Sequence, residues 1–311
     1  MRPSEGALIG AFLRPFGLTA HAGVLVGAGA SDCAVVEPRR GYRLVLKTDA
    51  VLDRVHFDLR KCTPADAGWK ALAVNLSDLA AAGARPRWFL CALGVPTIIG
   101  DPTPVARGIA QGMAQLAKKH GCALVGGNVT AAEQWSITVS ALGEARRTVE
   151  RGGGSPGDAI VVVGTLGDAA AGLRPHAPAR ALAAQRRPQP LVAEGLAAAP
   201  LASASVDVSD GFVKDLGHLC AASNCGAVIE CSQLPLGKAA RKLTDGLDLA
   251  LGGGEDYALV YAVAHRRLRA FLRKVPGSTV VGRLVEGQAI QLTELGQPRP
   301  LPKRTGYDHL A

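Results

Sequence analysis

The chain has 311 residues, a formal net charge of +9, 48% hydrophobic residues and 4% aromatics. That length suggests about two domains and the composition is that of an ordered globular protein, which excludes a disordered chain. The basic residues are dispersed in groups such as Arg146–Arg147, Arg186–Arg187 and Arg266–Arg267–Arg269 without the interleaved aromatics expected of a single-strand nucleic-acid binder, which favours a solvated basic surface and equally suits anionic small molecules as ligands.

In chain order, residues 4 to 17 carry Leu8, Ile9, Phe12, Leu13 and Phe16 at helical spacing. Residues 24–32, VLVGAGASD, read as a strand ending in a glycine-rich turn. Strands are expected at 33–36 and 42–48, the second delivering Lys47, Thr48 and Asp49 at its end. The stretch GWKALAVNLSDLAAAGARP, residues 68–86, is apolar on nearly every side and predicts a buried helix. Thr63 suits its cap, Pro64 its first position and Gly83 its end. Asn75 and Asp78, three apart, share one face. Further strands are expected at 87–95, 122–125 and 135–144, with an amphipathic helix over 104–120 closed by Gly121. The strand at 122 runs into Gly126-Gly127-Asn128.

RGGGSPGD, residues 151–158, concentrates glycine and proline and marks a boundary, giving domains at 1–145 and 146–311. The second half predicts strands at 159–164, 205–208, 226–231 and 258–263, helices from 167 to 173, at 212–223 and at 266–275, a glycine-rich loop LGGGEDY at 251–257, and two short strands before a terminal GYDHL. The fold class is therefore α/β or α+β in two domains. The seven cysteines are odd in number and form no CxxC pair. They read as buried free thiols of a reducing cytoplasm. No secretory leader and no membrane span is expected.

Acidic residues recur at predicted strand ends or in glycine-rich turns: Asp32, Asp49, Asp207, Asp210, Glu255 and Asp256, with Asp78 added from the helix. Strand ends in α/β sheets face the ligand crevice. Converging carboxylates repel unless cations neutralise them, and hard oxygen ligands suit Mg²⁺ together with substrate phosphates. Glycine-rich turns let backbone N–H groups approach those phosphates. Jointly these features point to a Mg²⁺–nucleotide site, although each alone is more often a plain turn. The chain has no GxxxxGK[ST] loop and no protein-kinase motif set.

SDCAVV near 31, the TD of LKTDAVLDRVHF, KALAVNLSDLAAAGARP, GGN at 126, RGGGSPGD, VDVSDG at 206, GGGEDY at 252 and GYDHL follow one another over nearly the whole chain. In this order they resemble the thiamine-monophosphate kinase family, of the superfamily that includes aminoimidazole ribonucleotide synthetase. The resemblance implies two α/β domains, the first with a mixed sheet that forms a homodimer interface. It implies ATP and several Mg²⁺ ions, and phosphoryl transfer to a small-molecule phosphate, thiamine monophosphate. By matching position it implies Asp32, Thr48, Asp49, Asp78, Asp207 and Asp210 as metal ligands. Gly127, Asn128, Arg151 and Ser209 match nucleotide-contacting positions, and His56, Glu255 and Tyr307 match substrate-contacting ones. No acid–base residue is implied, because the acceptor is already an anionic phosphate.

Three positions depart from the family pattern: Ser31 replaces an Asp, Lys47 replaces a Ser or Thr, and Asn128 replaces an Asp that ligates metal. Two readings follow. Either Lys47 acts as a point charge on phosphate and fewer Mg²⁺ ions are tolerated, or it points outward and Asn128 ligates through its carbonyl. Two other functions remain open: a paralogue acting with ATP on a different anionic molecule, or a non-catalytic nucleotide-binding dimer.

Overall fold

The computed structural model describes residues 4–17, 22–26, 34–98 and 100–308. Asp32 and its neighbours Ser31 and Cys33 lie outside the described residues. The chain divides into two compact units, Met1–Leu79 with Arg85–Arg146, and Ala80–Ala84 with Arg147–Ala311.

In the first unit, α1 (Glu5–Leu13) is capped by the Ser4 hydroxyl, which accepts the Ala7 N–H. A small antiparallel pair, β1 (Val24–Val26) with β2 (Val35–Val36), precedes the main elements. These are β3 (Arg43–Leu52), α2 (Pro64–Ala81), β4 (Arg85–Pro96), α3 (Thr103–His120), β5 (Ala123–Ala132) and β6 (Ser136–Ala145). The four strands form a mixed sheet in the order β3-β6-β4-β5, antiparallel except for β4 with β5.

The expected cap of α2 is present: the Thr63 hydroxyl accepts the Asp66 N–H at 3.2 Å and Asp66 returns the bond to the Thr63 N–H at 3.0 Å. This is a reciprocal capping box, with Asp in the place of the usual Glu. Helix α2 buries Ala67, Ala71, Leu72, Leu76, Leu79 and Ala80, as its apolar circumference requires. It meets α3 backbone to backbone. A Cβ on Gly112 would lie 1.8 Å from the Ala65 carbonyl oxygen, so only glycine permits this approach.

The second unit contains β7 (Ala159–Val163), α4 (Asp168–Gly172), α5 (Ala179–Arg186), α6 (Val192–Ala198), β8 (Ala204–Asp207), α7 (Phe212–Ser223), β9 (Gly226–Glu230), α8 (Gly246–Gly252), β10 (Leu259–Val263), α9 (His265–Lys274), β11 (Ser278–Val285), β12 (Ile290–Glu294) and β13 (Gln297–Arg299). Its seven-stranded sheet has the order β13-β12-β9-β11-β7-β10-β8, and only β12 with β9 is parallel. Strands β7 and β10 lie inside the sheet and are buried along their whole length, which explains their unbroken apolar sequences. The core gathers Val162, Leu166, Val206, Phe212, Leu216 and Val260. Ser205 donates at 2.6 Å to the carbonyl of Ala81, the last residue of α2, which belongs to this unit.

The structure differs from the sequence expectations in two places of physical interest. Strand β5 does not stop at Val125 but continues through Gly126-Gly127-Asn128 to Ala132, because parallel pairing with β4 resumes after a bulge, with Gly126 opposite Leu90 and Asn128 opposite Ala92. The C-terminal region forms three strands, not two. Leu295 and Gly296 both have positive φ, 51° and 79°, and turn β12 into β13 as a tight hairpin. Glu230 stabilises that turn by accepting the N–H groups of both residues, at 2.8 and 3.2 Å. Helices α6 and α8 were not expected from the sequence.

Candidate active site

In the first unit, strand alternation puts Lys47 and Asp49 on one face of β3 and Thr48 on the other. The Lys47 ammonium lies 3.1 Å from Asp49 Oδ2 and 3.1 Å from Asp78 Oδ2, the latter carried by α2. Lys47 therefore points inward between two acidic residues, and the outward orientation is not the one observed. Burial acts to lower its pKa, but the Asp78 and Asp49 carboxylates outweigh burial and hold the ammonium above its ordinary value. The Thr48 hydroxyl turns away, donating to the Val139 carbonyl at 3.1 Å and sharing a 3.0 Å bond with the Ser140 hydroxyl.

Gly127 is in register with Cys91 and, through it, with Val139 and Asp49. A Cβ there would sit 2.0 Å from the Cys91 carbonyl oxygen, so no other residue fits this backbone path. Asn128 is exposed and belongs to the next row, with Ala92, Thr138 and Ala50. By alternation that row faces away from Lys47 and Asp49. The structure thus brings Asp49 and Asp78 together and does not bring Asn128 to them. His56 lies in the turn after β3. Its Nδ1 accepts the Leu52 N–H at 3.2 Å, which places the neutral ring's proton on Nε2. The buried Lys70 ammonium donates to the His56 carbonyl at 3.0 Å and fixes the turn from behind.

In the second unit, β8 ends at the buried Asp207 and leads into Ser209-Asp210-Gly211. Asp215, in the first turn of α7, accepts the N–H groups of all three, at 3.0, 2.9 and 3.0 Å. Burial pushes its carboxyl up to about 6 against those bonds. Asp210 pairs with Lys214 at 2.7 Å, and Lys214 also donates to the Tyr307 carbonyl. The Tyr307 N–H in turn donates to the Asp210 carbonyl at 2.9 Å. The C-terminal segment therefore folds back over the SDG turn and brings Tyr307 beside Asp210. Arg151 accepts the Ser223 hydroxyl on its carbonyl. Its guanidinium joins burial in holding the His218 imidazole below its ordinary pKa.

Beside this turn is a cavity of about 170 Å³ lined by Thr165, Asp168, Arg180, Glu255 and Asp256. Glu255 and Tyr257 have φ of 68° and 50°, a left-handed backbone that is strained for side chains of this size. Asp168 Oδ1 accepts the Ala239 and Ala240 N–H groups at 2.9 and 3.0 Å, and Arg180 Nε approaches its Oδ2 at 3.5 Å. Sequence reasoning missed Asp168, Arg180 and Asp215. For the two aspartates the available signal was a carboxylate in the first turn of a helix preceded by a glycine.

Two family descriptions match the chain: "AIR synthase related protein, N-terminal domain" over residues 30–145 and "AIR synthase related protein, C-terminal domain" over 155–294. The thiamine-monophosphate kinase of Salmonella typhimurium is 36% identical over 301 residues, covering 90% of each chain. That of Escherichia coli is 33% identical over 308 residues, covering 93% of each. The chain belongs to the thiamine-monophosphate kinase family. The crystal structure of the Stenotrophomonas maltophilia thiamine-monophosphate kinase superposes with a TM-score of 0.81 at 35% identity, covering 95% of this chain and 98% of that one. A structure described as AaThiL complexed with AMPPCP and TMP gives 0.77 at 29% identity, covering 98% and 96%. Escherichia coli HypE, a hydrogenase maturation protein, shares the fold at 0.76 and 24% identity, so the fold alone does not fix the substrate.

Members of the thiamine-monophosphate kinase family are expected to use Mg²⁺, and the donors present fit such an ion in kind. Asp49 and Asp78 come from different elements yet aim one oxygen each at a single point. Two hard carboxylates converging there require a cation. At that point stands the Lys47 ammonium. Among the described residues, no group of three or more His, Cys, Asp or Glu side chains is arranged to hold a metal ion.

Proposed function

We propose that this chain transfers the γ-phosphoryl group of ATP to the phosphate of thiamine monophosphate, releasing ADP and thiamine diphosphate. A phosphate oxygen of the acceptor forms the new bond to phosphorus as the bond to the β–γ bridging oxygen breaks. The acceptor is already anionic, so the reaction needs positioning and charge neutralisation rather than a general base. The observation that carries this reading is the relatedness to thiamine-monophosphate kinases at 33–36% identity over about nine tenths of the chain, which spans both units.

Asp49, Asp78, Asp207 and Asp210, with Asp32, are the proposed Mg²⁺ ligands; the Thr48 hydroxyl, expected among them, is directed to the opposite face of β3. Bound Mg²⁺ would neutralise phosphate charge and orient the transferred group. The Ser209 turn and the Arg151 fork offer donors to the nucleotide, with Gly127 and Asn128 as the further proposed nucleotide contacts. His56, in the turn after β3, is the proposed contact to the acceptor's phosphate. Glu255 and Asp256 give the cavity in the second unit an acidic wall, which suits a cationic thiazolium ring. Tyr307 supplies an aromatic face beside the SDG turn.

We further propose that the chain is a homodimer of the cytoplasm. Leu44, Leu46 and Leu90 are exposed on the sheet face opposite Lys47, and a second copy is the occupant that the family resemblance implies for it. The free buried cysteines suit a reducing compartment. Among the described residues no helix is long and apolar enough to cross a membrane.

The test is chromatographic detection of thiamine diphosphate after incubation with ATP, Mg²⁺ and thiamine monophosphate. Diphosphate formation supports the proposal. Turnover with other anionic acceptors alone would make the chain a family paralogue, and nucleotide binding without turnover a non-catalytic dimer. Light scattering of the eluting protein gives the oligomeric state.

A further inference from the structure

We propose that Lys47 is a fixed cation of the nucleotide site: its ammonium takes a place between Asp49 and Asp78 that a divalent ion would otherwise take, and this chain binds nucleotide with one fewer divalent ion than a variant without the ammonium. The inference deepens the phosphotransferase reading and rests on it.

Four observations converge on Lys47. Its Nζ is 3.1 Å from an oxygen of each of two carboxylates on separate elements, a strand and a helix. Its position two residues from Asp49 on a regular strand puts both side chains on one face with no adjustment of the backbone. Its cross-strand partner in β6 is Ala141, and that of Asp49 is Val139, so these neighbours supply no other charge to satisfy the ammonium. The side chain is 31% exposed, hence packed along its stem with its head directed at the acidic pair.

An ammonium has three N–H donors. Two point at Asp49 and Asp78, and the third is available to a phosphate oxygen, the contact that a bridging metal would otherwise make. Lysine acts here as a compact point charge. A wholly exposed ion pair would contribute little. This one is different in kind, because removing the ammonium leaves two carboxylates facing one another at a distance where like charges repel strongly. A divalent ion relieves that repulsion.

The experiment is equilibrium dialysis of the full chain against AMPPCP and Mn²⁺, with metal counted by mass spectrometry and nucleotide by absorbance. Lys47→Thr is expected to bind about one more Mn²⁺ per chain at saturation than the unmodified protein. Lys47→Met, which keeps the length of the side chain and removes its charge, is expected to gain the same ion and serves if the threonine variant does not fold. Lys47→Arg is expected to match the unmodified protein. Equal metal counts in the unmodified protein and the neutral variants overturn the proposal. Thiamine diphosphate formation by the unmodified protein is scored separately. Diphosphate formed with no change in metal count overturns the role of Lys47 alone, whereas a gained ion without diphosphate upholds Lys47 and overturns the acceptor.

Discussion

Asp256 Oδ2 accepts the Gly167 N–H at 2.6 Å, and its Oδ1 accepts that of Ala169 at 3.2 Å. One carboxylate thus satisfies the start of α4, whose first N–H groups have no partner within the helix. The left-handed backbone on either side of it is held by main-chain bonds, from the Glu255 N–H to the Ser209 carbonyl at 2.7 Å and from the Tyr257 N–H to the Val208 carbonyl at 2.8 Å. Burial is the main reason its pKa rises from 3.8 to about 7, with the Asp168 and Glu255 carboxylates adding to the rise and the two N–H bonds opposing it.

The folded chain holds the Asp256 proton more tightly than the unfolded one, so this group's favourable contribution is complete below pH 3.8 and is lost as pH rises through about 7. Asp256→Asn removes that dependence. The stability difference between the unmodified protein and the variant, taken from urea midpoints, is expected to decline across this window and level off above it. A difference independent of pH would contradict the assignment.

Glu144 is buried and receives Arg39 on both oxygens, from the backbone N–H at 2.7 Å and from Nε at 2.6 Å, with Arg87 Nε at 3.3 Å. Glu144→Ala leaves the half-buried Arg87 without its counter-charge and is expected to cost about 3 kcal/mol. Glu144→Gln keeps an acceptor for the Arg39 N–H and loses less. Denaturant unfolding of the two variants measures the order.

Gly112→Val places atoms where the Ala65 carbonyl stands and forces α2 and α3 apart. The expected loss is about 3 kcal/mol, the upper end for overpacking, seen as a lower Tm. Because Asp78 rides on α2, nucleotide affinity is expected to fall with it. Unchanged affinity in a destabilised variant would show that the site tolerates the displacement.

Asp49→Ala removes one of the two carboxylates that meet Lys47. Metal-dependent AMPPCP affinity, measured calorimetrically, is expected to fall by about 100-fold, the upper end of what even outer partners of a metal contribute. Retained affinity would argue against Asp49 as a ligand.

Much of the fold was legible because local signals and burial agreed. The span expected for α7 is the one observed, and the α2 cap residues Thr63 and Pro64 act as their types suggest. The family helix was readable from its apolar circumference alone. What escaped reading depends on pairing between distant segments. The run of β5 through Gly126 and Gly127 follows from parallel hydrogen bonding to β4, which glycine content disguises. The turn at Leu295 depends on Glu230, 65 residues away. At the site, the sequence could name Lys47 as a departure but not its direction, which is set by the phase of β3 against α2. Asp215 fell inside the expected helix 212–223 without being singled out, and Asp256 stood only as one of the acidic residues in glycine-rich turns, yet they satisfy backbone N–H groups at the SDG turn and at the start of α4.

The Lys47 ammonium has a consequence that no diffusible ion shares: it is tethered to the backbone and cannot be chelated away. When divalent ions are stripped from the protein, Asp49 and Asp78 keep a counter-charge between them. The Asp49–Asp78 pair is therefore expected to retain its shape in magnesium-poor surroundings.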